Sequence, residues 1–163
     1  MINLKKIQYA AAGLFFVILQ IVIFRHLLFF GLQPDVVIIF VLWIAIHTER
    51  TTAILLAGTI GFFQDALLDV WGLNMFAKTL SLFMAYNPLS RLKESNLLLP
   101  QIFITCLLFS LLHYILFLTV GGLLDTYSSE LNFWKILFGN SIYTAVMGIF
   151  IYLLYTDRRK STS

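Results

Sequence analysis

The sequence predicts an all-α protein that crosses a lipid bilayer six times, and three observations point to this fold class. Hydrophobic residues make up 60% of the 163-residue chain, whereas soluble domains average roughly 45–50%. Charged residues make up only 12%, where soluble domains have roughly 25%. The mean hydropathy is +0.91. Such a chain would expose large apolar patches in water, so we expect membrane lipid to surround it.

Six apolar segments are expected to form transmembrane helices within one membrane domain over residues 1–163. They lie at about 7–30, 34–47, 51–68, 74–89, 96–120 and 133–155. The first follows Lys5 and Lys6 as in a signal peptide, but no Ala-x-Ala site follows its apolar core, so a retained helix is predicted. The second, with Pro34 expected in its first turn, is short and spans only if its polar ends lie in the interfaces or inside the protein.

Lysine and arginine are distributed unequally between the two sides of this six-span layout. One side receives Lys5, Lys6, Arg50, Arg91, Lys93, Arg158, Arg159 and Lys160, and the other receives Arg25, Lys78 and Lys135. Positive residues stay on the cytoplasmic side during insertion. The sequence therefore predicts a multi-pass membrane protein with both termini in the cytoplasm.

Small residues recur at four-residue spacing in the third segment, at Ala53, Ala57 and Gly61. Residues four apart lie on one face of a helix, and small side chains there let two membrane helices approach closely. This face is expected to be a packing seam between helices. It is also a candidate surface for a partner helix.

Polar residues at the end of the third segment and the start of the fourth are unusual in so apolar a chain. Gln64 and Asp65 are followed by Asp69 one turn later, and Lys78 comes early in the next segment. Lys78 is expected to meet Asp65 or Asp69 across the hairpin. Two interpretations stay open: an ion pair near the outer interface with a carboxylate accepting hydrogen bonds from the turn, or a polar pocket that receives a ligand or a partner's polar groups.

No residue pattern predicts catalysis, a cofactor, a metal or nucleic-acid binding. His26 and His47 fall on opposite sides of the membrane, and His113 falls within a span, where an interhelical hydrogen bond is expected. Cys106 is expected to be a buried, unreactive thiol. Phosphate-binding glycine loops and nucleophile motifs are absent from the sequence, and the basic residues lie at span ends.

Short motifs between about residues 33 and 92 resemble the rod shape-determining protein MreD family. They are Gln33-Pro34-Asp35 before an aliphatic helix, a basic corner at Arg50, the run 61–65 ending in Gln64-Asp65, and Gly72-Leu73-Asn74. The other segments agree with the family in length and hydropathy only.

The resemblance implies a non-enzymatic membrane subunit of the bacterial cell-elongation machinery. Its expected partners are MreC by direct contact and, in the same assembly, MreB, RodA and a penicillin-binding transpeptidase. It also implies a fold similar to the substrate-binding subunits of energy-coupling-factor transporters. Contacts are expected through the face containing Ala57 and through the turn from Asp65 to Asn74, which includes Gly72.

A second function class fits the same architecture: a vitamin-binding subunit of an energy-coupling-factor transporter. Such a subunit needs an outward-facing pocket with converging polar groups. The polar residues that could line it are Asp65, Asp69, Asn74, Lys78 and Asp125. Loss of rod shape on depletion favours the first class, and tight vitamin binding by the purified protein favours the second.

Overall fold

A computed structural model describes residues 4–24, 26, 30–70, 72–94, 98–123 and 133–161 of the chain. These residues form six helices and no β-strand, which confirms the all-α class. The helices are α1 (Leu4–Leu19), α2 (Val36–His47), α3 (Arg50–Leu68), α4 (Leu73–Ser90), α5 (Leu99–Leu123) and α6 (Ser141–Ser161). A π-helical turn Gln20–Phe24 extends α1, another at Lys135–Asn140 precedes α6, and a 3₁₀ turn Arg91–Glu94 follows α4.

Four of these helical segments are long and apolar enough to cross a membrane. They are Leu4–Phe24, Arg50–Leu68, Leu99–Leu123 and Lys135–Thr156. The first ends well before its predicted end at Phe30, and α5 continues through Gly121 and Gly122, where a loop was expected. The remaining two helices, α2 and α4, do not meet this standard: α2 has only 12 residues, and α4 carries several polar side chains along its length.

The short helix α2 forms the centre of the bundle. At about 1.5 Å per residue it is roughly 18 Å long, well below the roughly 30 Å of bilayer hydrocarbon. It contacts α1, α3, α4, α5 and α6, and residues such as Val37, Val41 and Ile44 are completely buried. A helix that is apolar on all sides is one that protein surrounds. The neighbouring helices, rather than lipid, therefore enclose α2, and its ends lie inside the protein.

Consecutive helices run in opposite directions, which gives the bundle two chemically different ends. We call the end where α1, α3 and α5 finish and α2, α4 and α6 begin the polar end. The opposite end, which contains the α2–α3 connection at His47–Arg50, is the corner end. At the polar end, a hydrogen bond links the α1–α2 connection to the turn before α6, because the backbone N–H of Gln33 donates to Asn140 Oδ1 at 2.9 Å.

Candidate functional site: a buried polar cluster and its cavity

Asp35 begins α2 and links it to two other helices. Its carboxylate accepts a hydrogen bond from the backbone N–H of Ile38 at 3.1 Å, which makes Asp35 the N-cap of α2. Its own backbone N–H donates to Thr144 Oγ1 of α6 at 2.9 Å. Pro34 therefore lies just before the cap. The prediction from the sequence that Pro34 lies in the first turn of α2 is wrong. Pro34 is buried, and its carbonyl accepts from the side-chain amide of Gln20 at 2.8 Å.

Lys78 of α4 forms an ion pair with Asp35 inside the bundle. Its Nζ lies 3.2 Å from Asp35 Oδ2 and 3.2 Å from Asn74 Oδ1, to which it also donates. The side chains of Lys78 and Asp35 are 0% and 8% exposed. Burial removes the water that would otherwise weaken such a pair, so each charge depends on the other for its stability. The pair joins the start of the central helix to α4.

Asp65 caps the start of α4 with both of its carboxylate oxygens. One carboxylate oxygen accepts from the backbone N–H of Asn74 at 2.9 Å and the other from that of Met75 at 2.8 Å. The first backbone N–H groups of a helix have no partner within the helix. Asp65, at the end of α3, supplies that partner and also places a negative charge at the positive end of the α4 dipole.

The predicted contact between Lys78 and an acidic residue of α3 is therefore wrong, because Lys78 pairs with Asp35. The expectation that a carboxylate accepts hydrogen bonds from the turn is confirmed for Asp65. Asp69 is exposed and ends α3 in a left-handed conformation, with φ of 56°. Gly72 follows in the same conformation, with φ of 75°, immediately before α4. Such angles favour glycine at this tight connection.

Sequence reasoning missed three residues at the polar end, Gln20, Asn140 and Thr144. We call the group that they form with the residues above the polar cluster: Gln20, Asp35, Asp65, Asn74, Lys78, Asn140 and Thr144. Gln20 spans the connection into α2: its amide nitrogen donates to Pro34 and its oxygen accepts from the backbone N–H of Val36 at 2.9 Å. Thr144 of α6 and Asn140 of the turn before α6 hold the same connection. The sequence did contain one signal, the amide of Gln20 within an apolar span. A polar group in such a span needs a hydrogen-bond partner, so Gln20 could have been included among the candidate residues.

A polar cavity of about 380 Å³ opens among these residues at the polar end. Side chains from α1, α3, α4, α5, the turn before α6 and the α1–α2 connection line it. Its polar residues include Gln20, Gln33, Asp35, Gln64, Asn74, His113 and Asn140. The apolar part of the wall includes Leu68, Phe117 and Ile136. Of the residues predicted to line a pocket, Asn74 lines this cavity, whereas Asp65, Asp69 and Lys78 do not. Asp125 lies outside the described residues.

Two polar atoms of the cavity residues lack a hydrogen-bond partner among the described residues. They are Gln64 Oε1 and His113 Nδ1, in residues that are 5% and 1% exposed. Two buried hydroxyls away from the lining, those of Ser81 and Ser110, share this property. Buried polar groups without a partner are rare in native proteins, and each one calls for an explanation.

The small-residue face of α3 is an internal packing seam. Ala53 and Ala57 are 0% and 1% exposed. A Cβ atom on Gly61 would lie 2.5 Å from Cα of Met75 and 2.8 Å from its backbone nitrogen, so α3 and the start of α4 touch backbone to backbone. The packing interpretation is confirmed. The alternative, that this face is open to a partner helix, is wrong. Because Ala57 is buried, a leucine at this position would disrupt packing inside the bundle.

The corner end is held by aromatic and backbone contacts. The Tyr86 hydroxyl donates to the Thr48 carbonyl at 3.0 Å, which ties α4 to the α2–α3 connection. The Arg50 guanidinium lies 4.8 Å from the centroid of the Phe83 ring, a distance at which cation–π attraction operates. His47 stacks on Trp43 with centroids 4.4 Å apart. Arg50 of the sequence motif therefore contacts α4 of the same chain.

The described residues include no group of three histidine, cysteine, aspartate or glutamate side chains placed to hold a metal ion. In a comparison with protein-family models, the chain matches the family described as rod shape-determining protein MreD over residues 5–158. No curated protein and no solved structure matches the chain. The family match includes all six helices and every residue of the polar cluster.

Proposed function

Because the chain belongs to the MreD family of rod shape-determining proteins, we propose that it is a non-enzymatic, multi-pass subunit of the bacterial cell-elongation complex that binds MreC. MreB, RodA and a penicillin-binding transpeptidase complete the proposed assembly. The observation that carries this proposal is the family match over residues 5–158. The basic test is depletion: loss of rod shape supports the proposal, and normal rods contradict it.

The buried position of the polar residues limits which surfaces of the chain can contact MreC. Asp35, Lys78 and Asp65 are occupied in holding helices together, and the small-residue face of α3 is buried. A chain with short connections must then meet partners through the outer faces of its helices and its exposed turns. The exposed side of the α3–α4 hairpin is our candidate for this contact. It includes Leu67, Asp69 and Phe76, of which Leu67 and Phe76 are 53% and 46% exposed.

Co-purification of MreC tests this surface. We expect Leu67→Ala and Phe76→Ala to lower MreC recovery severalfold, because truncation of large apolar anchors weakens an interface, while membrane insertion stays unchanged. Leu108→Ala is the matched control, since Leu108 is 61% exposed on α5. Equal recovery from all three variants would remove the hairpin surface from consideration and leave the family-based function intact.

The proposed topology places both termini in the cytoplasm and the polar end at the outer surface. The unequal division of lysine and arginine supports it. Cys106, the only cysteine in the sequence, is 5% exposed, so a Ser163→Cys variant offers one accessible thiol. An impermeant maleimide is expected to label that thiol only after the cells are permeabilised. Labelling in intact cells would reverse the proposed orientation.

A fold similar to energy-coupling-factor substrate-binding subunits belongs to the same proposal, and the vitamin-binding function stays its alternative. The family match favours shape determination over transport. The two functions differ in phenotype: a depleted strain loses rod shape under the first and vitamin uptake under the second.

A further inference from the structure

We infer that the polar cavity binds a small, uncharged molecule whose polar groups are hydrogen-bond acceptors, such as carbonyl or ether oxygens. The cavity lies at the polar end, and residues of five helical segments and the α1–α2 connection line it. Its volume of about 380 Å³ falls within the range of roughly 300–1,000 Å³ typical of small-molecule sites. The inference does not depend on the MreC contact, which we place on the outer face of the α3–α4 hairpin.

Two side-chain amides supply the donors of this site. Asn74 lines the cavity from α4, and Asn140 lines it from the turn before α6. Asn74 Oδ1 accepts from Lys78 Nζ, and Asn140 Oδ1 accepts from the backbone N–H of Gln33. An ammonium group and a backbone N–H can only donate, so these two partners fix which way each amide points. Each amide nitrogen, Nδ2, therefore keeps two N–H groups for another partner.

These two amide nitrogens are open to the cavity. Neither has a hydrogen-bond partner among the described residues. Gln64 Oε1 and His113 Nδ1 also lack a partner, but they have almost no accessible surface, so a molecule in the cavity does not reach them. The nitrogens of Asn74 and Asn140 do not share that enclosure, and both residues line the cavity. The groups that a bound molecule meets here are thus N–H donors.

The glutamine side chains of the α1–α2 region are compatible with the same ligand. Both amide atoms of Gln20 are used in holding the α1–α2 connection, so they do not compete for a bound molecule. Gln33 is half-buried and lines the cavity. Its side-chain amide can rotate to present its N–H groups to an acceptor.

The charge of the lining favours a neutral ligand. Asp35 is the one carboxylate among the lining residues that the structure describes, and its partner Lys78 is completely buried and does not line the cavity. An anion would lie beside the Asp35 carboxylate with no accessible cation to pair with, which is strongly unfavourable in a buried site. A cation would meet the N–H groups of the amides, which repel positive charge. Apolar side chains such as Phe117 and Ile136 are available to contact the rest of a neutral molecule.

The side-chain NH₂ signals of asparagine report on the site directly. The purified full-length chain, labelled with ¹⁵N-asparagine and held in lipid nanodiscs, is titrated with N,N-dimethylbenzamide, which is uncharged and has a carbonyl acceptor but no N–H. We expect saturable shifts of the Asn74 and Asn140 signals and no shift of the Asn87 signal, because Asn87 is exposed at the corner end. The variants Asn74→Ser, Asn140→Ser and Asn87→Ser assign these signals, since each variant loses one pair.

A charged probe and one further variant test the two chemical requirements. Benzoate keeps the ring and the acceptor oxygens but carries a charge, and we expect it to bind at least roughly fivefold more weakly than N,N-dimethylbenzamide. Asn140→Asp keeps the oxygen that accepts from Gln33 but replaces the donor nitrogen, so the probe should bind at least roughly fivefold more weakly, as followed by the Asn74 signal. Asn87→Asp is the matched control, because it makes the same change at an exposed position, and its affinity should equal that of the unaltered chain.

Four results would overturn the inference. Absence of saturable shifts at both Asn74 and Asn140 would mean that the cavity holds water only. Shifts of equal size at Asn87 would mean that the probe does not select the cavity. Benzoate binding as tight as that of the neutral probe would contradict the argument from charge, and unaltered affinity in Asn140→Asp would contradict the role of its N–H groups. If Asn140→Asp does not give a single symmetric peak in gel filtration, the shifts in the unaltered chain decide the matter.

Discussion

Replacing Lys78 with methionine removes one charge of the buried ion pair while keeping a side chain of similar length. The Nζ–Oδ2 distance of 3.2 Å corresponds to an attraction of about 5 kcal/mol at an effective dielectric constant of about 20. Loss of one partner of a buried pair typically costs about 3–5 kcal/mol, because the other charge is left buried and unpaired. For a chain of this size, that cost lowers the melting temperature by about 6–20 °C.

A double-mutant cycle tests whether the pair acts as a unit. Asp35→Asn removes the carboxylate charge but keeps an oxygen that can accept from the backbone N–H of Ile38, so the cap of α2 is retained. We expect each single variant to be destabilised, and the double variant Asp35→Asn/Lys78→Met to recover most of the loss. Removing both members of a buried pair is often neutral or stabilising by about 1–4 kcal/mol.

Melting temperatures of the purified variants, measured by circular dichroism in one detergent at one pH, provide the assay. Lys135→Met is the matched control, because Lys135 is exposed, and a surface change of this kind shifts stability by less than about 0.5 kcal/mol. If Lys78→Met melts within 2 °C of this control, or if the double variant is no more stable than the single ones, the argument fails.

Two further comparisons test the α3–α4 connection through the melting temperature. Asp65→Asn replaces an acceptor oxygen with an amide nitrogen that cannot accept from a backbone N–H, so we expect a loss of about 1–3 kcal/mol. Asp69→Asn, at an exposed position that asparagine tolerates, should change little. Gly61→Ala forces a Cβ against the backbone of Met75 and should cost about 1–3 kcal/mol or more. Gly122→Ala meets no atom within 4 Å and should stabilise α5 by about 0.5–1 kcal/mol. Equal melting temperatures within either pair would contradict the corresponding contact.

Local features of the chain were predictable because their causes lie close together in sequence. The all-α class follows from composition, and the packing role of Gly61 follows from four-residue spacing on one helix face. The capping role of Asp65 was predicted because its partners, Asn74 and Met75, lie only 9 and 10 residues away across one hairpin. In these cases, periodicity and turn chemistry determine which groups meet.

The partner of Lys78 was not predictable in the same way. Asp35 is 43 residues away, and it reaches Lys78 only because α2 lies at the centre of the bundle beside α4. Thr144 lies 109 residues from Asp35, to which it is hydrogen-bonded. Hydropathy reveals that each apolar segment is a helix, but it carries no information on which helices are neighbours. The cluster became visible only when the helices were arranged around α2.

The central position of α2 explains why the polar residues gather where they do. A helix of roughly 18 Å cannot carry its first backbone N–H groups to the water on the polar side, so those groups must be satisfied inside the protein. Gln20 accepts from Val36, the first helical residue, and Asp35 accepts from Ile38. The carboxylate that serves as this cap is buried and needs a positive partner, which Lys78 provides. The short length of α2 thus requires the capping residues, and the buried cap requires the lysine on α4.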